Sequence, residues 1–376
     1  MDRTALENRL PSELDSLVSK NSDIFNPVLG ITNTRGDFYW AGAAGNAYTD
    51  KADAMEVDTP IFIASITKMY TGAATMILEE RGQLSLDDPI SKYLPGSLVE
   101  GLHRYKGHDY SDQLTIYHLV SQTSGLPDYF MDKPKGGVSI FDRLLVEGDF
   151  AWDLDEVVDI TRNSLSPKFP PEPKGQLNSG KQAFYSDTNY QLLGAILESA
   201  TEKQLHEIFS ELIIEPLELK STYLHGSGES QAAAGIHPAS IYYKTTPFYL
   251  DQAMTSFGPD GGMVSTLNDS LMFLRFFMDG KLFSDPSTLE RMKNWRKIFF
   301  PLQYGLGLMR LKMPKIFSPF TASPELIGHS GATSAFLFKS DIGGLLIGGT
   351  LNQVDNQARP VRLMLKLVNI INNALS

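Results

Sequence analysis

Three short clusters carry side chains suited to acyl chemistry. The first is Ser65-Ile66-Thr67-Lys68, where an apolar extended run, Ile61-Phe62-Ile63-Ala64, turns into a helical one. Positions i and i+3 share a helix face, so Ser65 Oγ and the Lys68 amine can meet one turn apart. A serine hydroxyl attacks a carbonyl only once something takes its proton, and a lysine amine of lowered pKa can do so. The same pattern is consistent with a serine N-cap followed by a solvated lysine. The second cluster is Tyr185-Ser186-Asp187, just ahead of a helical stretch over 188–200. A phenol beside an ammonium can be lowered in pKa and act as a general base. Equally, Asp187 could cap the helix and Tyr185 could pack. The third is His329-Ser330-Gly331, a polar, glycine-containing break in an apolar strand. Alternation predicts His329 and Gly331 on one face and Ser330 on the other. Gly331 lets a ligand approach the backbone, and the N–H groups of Ala332 and Ser65 could form an oxyanion hole.

The elements that must position these residues fall into a pattern. Residues 4–20 read as an amphipathic helix carrying Leu6, Leu10, Leu14 and Leu17. A hairpin signal follows over 27–42, turning at Thr34-Arg35-Gly36-Asp37. Near the other end, 327–339 and 345–351 read as paired strands about 340–344, and 358–375 as a closing helix. Between them the spacing is mostly helical, as in 114–121, 152–164 and 188–200. Residues 101–113 and 131–139 read as surface excursions, and the Pro- and Gly-rich stretch 167–180 as a loop. The architecture expected is α/β. An antiparallel sheet built from both chain ends (1–64 and 250–376) is flanked by helices. A mainly helical region, 65–249, is inserted, and the site lies at the seam of one catalytic unit.

Composition narrows the function. The chain has 376 residues with 42% apolar and 20% charged, a globular balance. Its formal net charge of −11 argues against nucleic-acid binding. With no cysteine, disulfides, thiolate catalysis and cysteine-ligated metals are excluded. No G-x-S-x-G elbow, H-E-x-x-H or phosphate loop is present, and His103 and His108 do not read as a metal site. No run is long and apolar enough to span a membrane, and residues 1–18 lack the core of a signal peptide. The expected location is cytoplasmic, or periplasmic or secreted if a leader has been removed.

The three clusters, in this order, resemble the serine β-lactamase/penicillin-binding-protein superfamily. The similarity is to the branch of class C β-lactamases, D-Ala-D-Ala carboxypeptidases, D-aminopeptidases and family VIII carboxylesterases. The flanks Asp58-Thr59-Pro60, Thr123-Ser124-Gly125-Leu126-Pro127-Asp128, Gly261-Gly262-Met263 and Tyr304-Gly305-Leu306-Gly307 are similar too. The resemblance runs from about residue 25 to the C-terminal end. It implies a β-lactamase/transpeptidase-like fold and no cofactor or metal. Ser65 is implied as nucleophile, Lys68 and Tyr185 share the proton transfers, and the N–H groups of Ser65 and Ala332 form the oxyanion hole. Asp187, His329, Ser330, Gly331 and Tyr129 are the expected substrate contacts.

Two positions depart from the branch. Asp187 stands where asparagine is usual, and His329 replaces the lysine of a K-T-G motif. An ionised Asp187 only accepts hydrogen bonds; it could hold Lys68 charged, which would leave Tyr185 as the base, and it would repel a substrate carboxylate, for which a neutral imidazole is also a poor partner. The sequence therefore favours an esterase acting through an acyl-serine on small neutral esters, with weak β-lactam turnover. The alternatives are a D-amino-acid peptidase or amidase, a β-lactamase, a transacylase, and a non-catalytic acyl-binding sensor. The expected partner is a small-molecule ester or amide.

Overall fold

A computed structural model describes residues 3–172, 183–227, 237–312 and 324–375. Most of the expected loop 167–180 lies outside them, from residue 173 onward. The labelled strands are β1 (Val28–Asn33), β2 (Tyr39–Ala43), β3 (Ile61–Phe62), β4 (Tyr223–Leu224), β5 (Met263–Ser265), β6 (Arg296–Phe299), β7 (Leu302–Tyr304), β8 (Met309–Lys312), β9 (Glu325–Ser330), β10 (Phe336–Ser340) and β11 (Leu345–Thr350). The main sheet runs β6-β7-β8-β9-β10-β11-β1-β2 and is antiparallel throughout. Its two ends of chain meet where Val28 pairs with Thr350 and Asn33 with Leu345. β1 and β11 are buried at every position, as expected of central strands covered on both faces.

Helices cover those faces. The terminal helices α1 (Arg3–Lys20) and α7 (Ala358–Leu375) pack together on one side, with Leu6, Leu10 and Leu14 buried. The inserted region supplies α2 (Thr67–Glu80), α3 (Ile140–Glu147) and α4 (Asp187–Thr201). α5 (Asp251–Gly261) and α6 (Leu267–Met278) follow. α6 packs on β1, β10 and β11, while α2 is sandwiched between α4 and α5. Every residue of α2 from Thr67 to Leu78 is buried, so it is a core helix and not an amphipathic surface one.

One expectation is corrected. The run 327–339 is not one strand; it folds back between Ser330 and Phe336, giving β9 and β10. Ser334 sits at φ 59° in that turn, and the Gly331 N–H donates to the Ala335 carbonyl at 2.7 Å. The third cluster therefore straddles the end of β9, with His329 and Ser330 closing the strand and Gly331 opening the turn.

Candidate active site

Ser65 lies in a single 3-10 turn, Ala64–Ile66, between β3 and α2. Ala64 is held at φ 46°, a left-handed conformation that a residue with a Cβ adopts only under constraint. The constraint is visible. Thr67 Oγ1 donates to the Ala64 carbonyl at 2.7 Å and accepts from the Met263 N–H at 3.1 Å. The Ile63 N–H in turn donates to the Met263 carbonyl. Ser65 is thus pinned to β5 as well as to its own helix.

Lys68 is fully buried one turn on. Its Nζ donates to Ser65 Oγ at 3.0 Å and to the Asp260 carbonyl at 2.6 Å, and pairs with Asp187 Oδ1 at 2.8 Å. Two of the ammonium's three N–H groups thus have hydrogen-bond acceptors, and Asp187 supplies the countercharge. Burial alone would push this amine down. The Asp187 carboxylate, aided by the phenol of Tyr185 and by Asp260, outweighs burial and holds Lys68 above the ordinary lysine value. Of the two states the sequence left open, a lowered amine or a lysine held charged by Asp187, the surroundings favour the second, with Lys68 an ammonium in the resting protein.

Tyr185 reaches the same point from the residue pair ahead of α4. Its ring centroid lies 5.2 Å from Lys68 Nζ, and its hydroxyl is buried near Ser65 and Lys68 without a well-formed hydrogen bond. Burial raises this phenol, and Lys68 only partly offsets it while Asp187 adds to the rise. The lowered phenol expected from the sequence is thus also corrected, because burial wins over the neighbouring charge. Asp187 is the first residue of α4 and pairs with Lys68 instead of capping; Ser186 is the N-cap.

A cavity of about 530 Å³ opens above this cluster. Ser65, Tyr185, Asp187, Ser330, Gly331 and Ala332 all line it. Gly331 packs so closely that a Cβ would lie 2.6 Å from the Ile63 carbonyl, 2.9 Å from the Ala64 Cβ and 3.2 Å from the Ser65 nitrogen. That approach brings the turn after β9 against the serine turn. Gln357 Nε2 donates to the Ala332 carbonyl at 2.6 Å, fixing the far side of the turn.

Two expected substrate contacts lie elsewhere. His329 has no exposed surface; it sits behind Tyr185, centroids 6.2 Å apart, and edge-on to Tyr304 at 5.7 Å. Burial, then the Lys68 charge, push its imidazole down to about 3, so it is neutral. It supports the Tyr185 ring instead of touching the cavity. Tyr129 is likewise fully buried, and its hydroxyl donates to Asp260 Oδ2 at 3.2 Å from behind the cavity wall. In place of these two, the cavity receives Asp128 and Asp260, which the sequence reading missed. Burial and then the Asp187 charge push both carboxyls well above the usual range. Asp260 also accepts from Gln191 Nε2 at 2.9 Å. No lysine or arginine lines the cavity among the described residues.

Residues 29–367 match the model of the family described as Beta-lactamase. This chain belongs to that family. Among curated relatives, esterase EstB of Burkholderia gladioli is 30% identical over 225 residues, 58% of this chain and 52% of that protein. The D-alanyl-D-alanine-carboxypeptidase/endopeptidase AmpH of Escherichia coli (strain K12) is 25% identical over 244 residues, 63% of this chain and 54% of that protein. The chain thus spans only about half the length of these relatives. Solved structures share the fold along nearly the whole length. EstCE1, described as a hydrolase with promiscuous acyltransferase activity, superposes with a TM-score of 0.76 at 19% identity, covering 98% of this chain and 99% of that one. The D-amino acid amidase of Ochrobactrum anthropi SV3 with L-phenylalanine amide gives a TM-score of 0.73 at 22% identity, covering 99% of both. The family membership and the β-lactamase fold read from the three clusters are those found. Among the described residues no helix is long and apolar enough to cross a membrane.

Proposed function

We propose that the chain is a serine acyl hydrolase that works through an acyl-serine, acting preferentially on uncharged esters. The observation that carries this reading is the 3.0 Å hydrogen bond from Lys68 Nζ to Ser65 Oγ at the floor of an open cavity. The reactive form is the minor fraction in which the coupled Lys68–Tyr185 pair has lost one proton to solvent; there Ser65 Oγ attacks the substrate carbonyl while its proton passes to the Tyr185 oxygen. Apo hydrogen bonds at such sites commonly tighten only with substrate bound. The carbonyl oxygen takes the negative charge between the N–H groups of Ser65 and Ala332. Tyr185 returns the proton to the departing alkoxide. Water then attacks the acyl-serine, giving up its proton by the same route.

The preference for uncharged substrates rests on charge balance. Four carboxyls, Asp128, Asp187, Asp260 and Asp355, line the cavity, and the Lys68 ammonium is already paired with Asp187. A substrate carboxylate, as in β-lactams or peptidyl-D-Ala, would lie close to the Asp187 carboxylate and would find no unpaired lysine or arginine in the lining among the described residues. A second reading, an amino-acid amidase, is favoured by the same carboxyls, since a substrate ammonium beside the raised Asp128 and Asp260 would favour their ionised form. A panel of neutral esters, D-aminoacyl amides and a chromogenic cephalosporin separates the readings.

The direct test is covalent. Wild-type protein should take up a fluorophosphonate on Ser65, and Ser65→Ala should lose both labelling and about 10³-fold or more of kcat. Labelling that persists on another serine overturns the assignment. After an activated ester is added, intact mass should return to that of the free protein; a lasting acyl adduct would instead mark a sensor.

A further inference from the structure

The cavity is much larger than a small ester needs, and its outer walls are aromatic. Phe257, Phe130, Phe141, Tyr243 and Phe248 all line it. They form a continuous chain of ring contacts. Centroids lie 4.9 Å apart for Phe257–Phe130, 5.8 Å for Phe130–Phe141, and 6.3 Å for both Phe141–Tyr243 and Tyr243–Phe248. These rings come from four separate pieces of chain: the loop after Leu126, the first turn of α3, the hairpin 242–248 and α5.

The collar is built, not incidental. Behind it Trp152 stacks on Phe130 at 6.2 Å and meets Phe257 edge-on at 5.0 Å, which fixes both rings. The Phe141 N–H donates to the Phe130 carbonyl, and the Phe248 N–H to that of Ile241. Phe141, Tyr243, Phe248 and Phe257 are only partly buried, so each keeps apolar surface open to the cavity. Ring edges and faces held in place favour an aromatic guest over an aliphatic one of equal size, through edge-to-face and offset contacts.

We propose that this aromatic collar is a substrate subsite that takes an aryl group attached to the ester cleaved at Ser65. The inference rests on the hydrolase reading above and narrows its substrate from small neutral esters to neutral esters bearing an aryl group. The aryl group could belong to either side of the ester, and two series distinguish these. Ethyl 3-phenylpropanoate, ethyl 3-cyclohexylpropanoate and ethyl acetate vary the acyl side. Benzyl, cyclohexylmethyl and ethyl acetates vary the alcohol side. Rates are followed by acid release in a pH-stat.

In one series kcat/KM for the aryl ester should exceed that for the ethyl or acetyl ester at least about tenfold. It should exceed that for the cyclohexyl ester by about two- to tenfold, the range of aromatic pair contacts. Phe248→Leu and Phe141→Leu should each lower the aryl-to-cyclohexyl ratio. Equal rates for aryl and cyclohexyl esters in both series overturn the subsite while leaving the hydrolase reading intact. Ser65→Ala protein provides the complementary readout, by saturation-transfer NMR with benzyl acetate against cyclohexylmethyl acetate. If no ester is turned over but benzyl acetate still binds preferentially, the hydrolase reading fails and the aryl subsite stands. No preference in binding, with no turnover, overturns both.

Discussion

The Lys68 ammonium donates to Ser65 and Asp260 and pairs with the Asp187 carboxylate, so at the scale of single residues the site is governed by how protons are shared. Asp187 raises both Lys68 and Tyr185. Both groups therefore lose their protons only at high pH, and kcat should climb with pH without a plateau below about pH 9, reporting the coupled pair. Asp187→Asn removes the carboxylate and must lower both values. Its alkaline limb should move down by about one pH unit or more, the scale of a close opposite charge. A limb that stays put or moves up in the pH–rate profile would remove Asp187 from this role. Tyr185→Phe should cost roughly 10²–10⁴ in kcat, the scale of a lost general base. The sequence made Ser65, Lys68, Tyr185 and Asp187 legible because each pair lies within one turn of its motif. Asp128 and Asp260 have no such spacing; one comes from a loop and the other from the last turn of α5, far apart in the chain, and only packing brings them to Asp187. His329 and Tyr129 misled because residue type says nothing about which side of a wall a side chain occupies.

At the scale of elements, the site depends on two turns pressed together. The strained turn at Ala64 and the turn after β9 touch through Gly331, where any side chain meets backbone. Gly331→Ala should force the turns apart by a fraction of an ångström. We expect kcat to fall on the order of 10²-fold, as for small misplacements of reacting groups. Stability should drop by only about 1–3 kcal/mol, the scale of local overpacking. Circular dichroism and a urea titration beside the kinetics check this; a variant that keeps its kcat would show that the contact does not set the geometry. The strands β1, β2 and β11, the terminal helices and the helices at 116–120, 154–159 and 187–201 were legible from periodicity, whereas β6, β7 and β8 were not. The fold-back between β9 and β10 was not, because two adjoining apolar strands read as one when the turn residues also look like a motif.

Across the whole molecule, buried neutral histidines tie stability to pH. His118 shows how. Its Nδ1 accepts from the Thr115 N–H at 3.0 Å, which places the ring proton on Nε2, donated to the Glu172 carbonyl at 2.8 Å. A second proton would set N–H against N–H, and burial pushes this imidazole below the usual histidine value. The unfolded chain binds that proton as pH falls through about 6.5, while the folded chain resists. The stability from His118 is therefore complete above that pH and is lost as the pH drops towards the folded value. Replacing it as His118→Asn should flatten the dependence by up to about 1.4 kcal/mol per pH unit between pH 7 and 5. Urea unfolding at both pH values measures the difference, and equal slopes in the two proteins would contradict it. The pairing of Val28 with Thr350 has a different reach. As the chain leaves the ribosome, β1 and β2 emerge first, yet the partner of β1 is synthesised hundreds of residues later. Until then the nascent hairpin carries an open apolar edge while the helical insertion can already collapse. The catalytic seam therefore closes last, and nascent chains stopped before β11 should depend on chaperones in a way the finished protein does not.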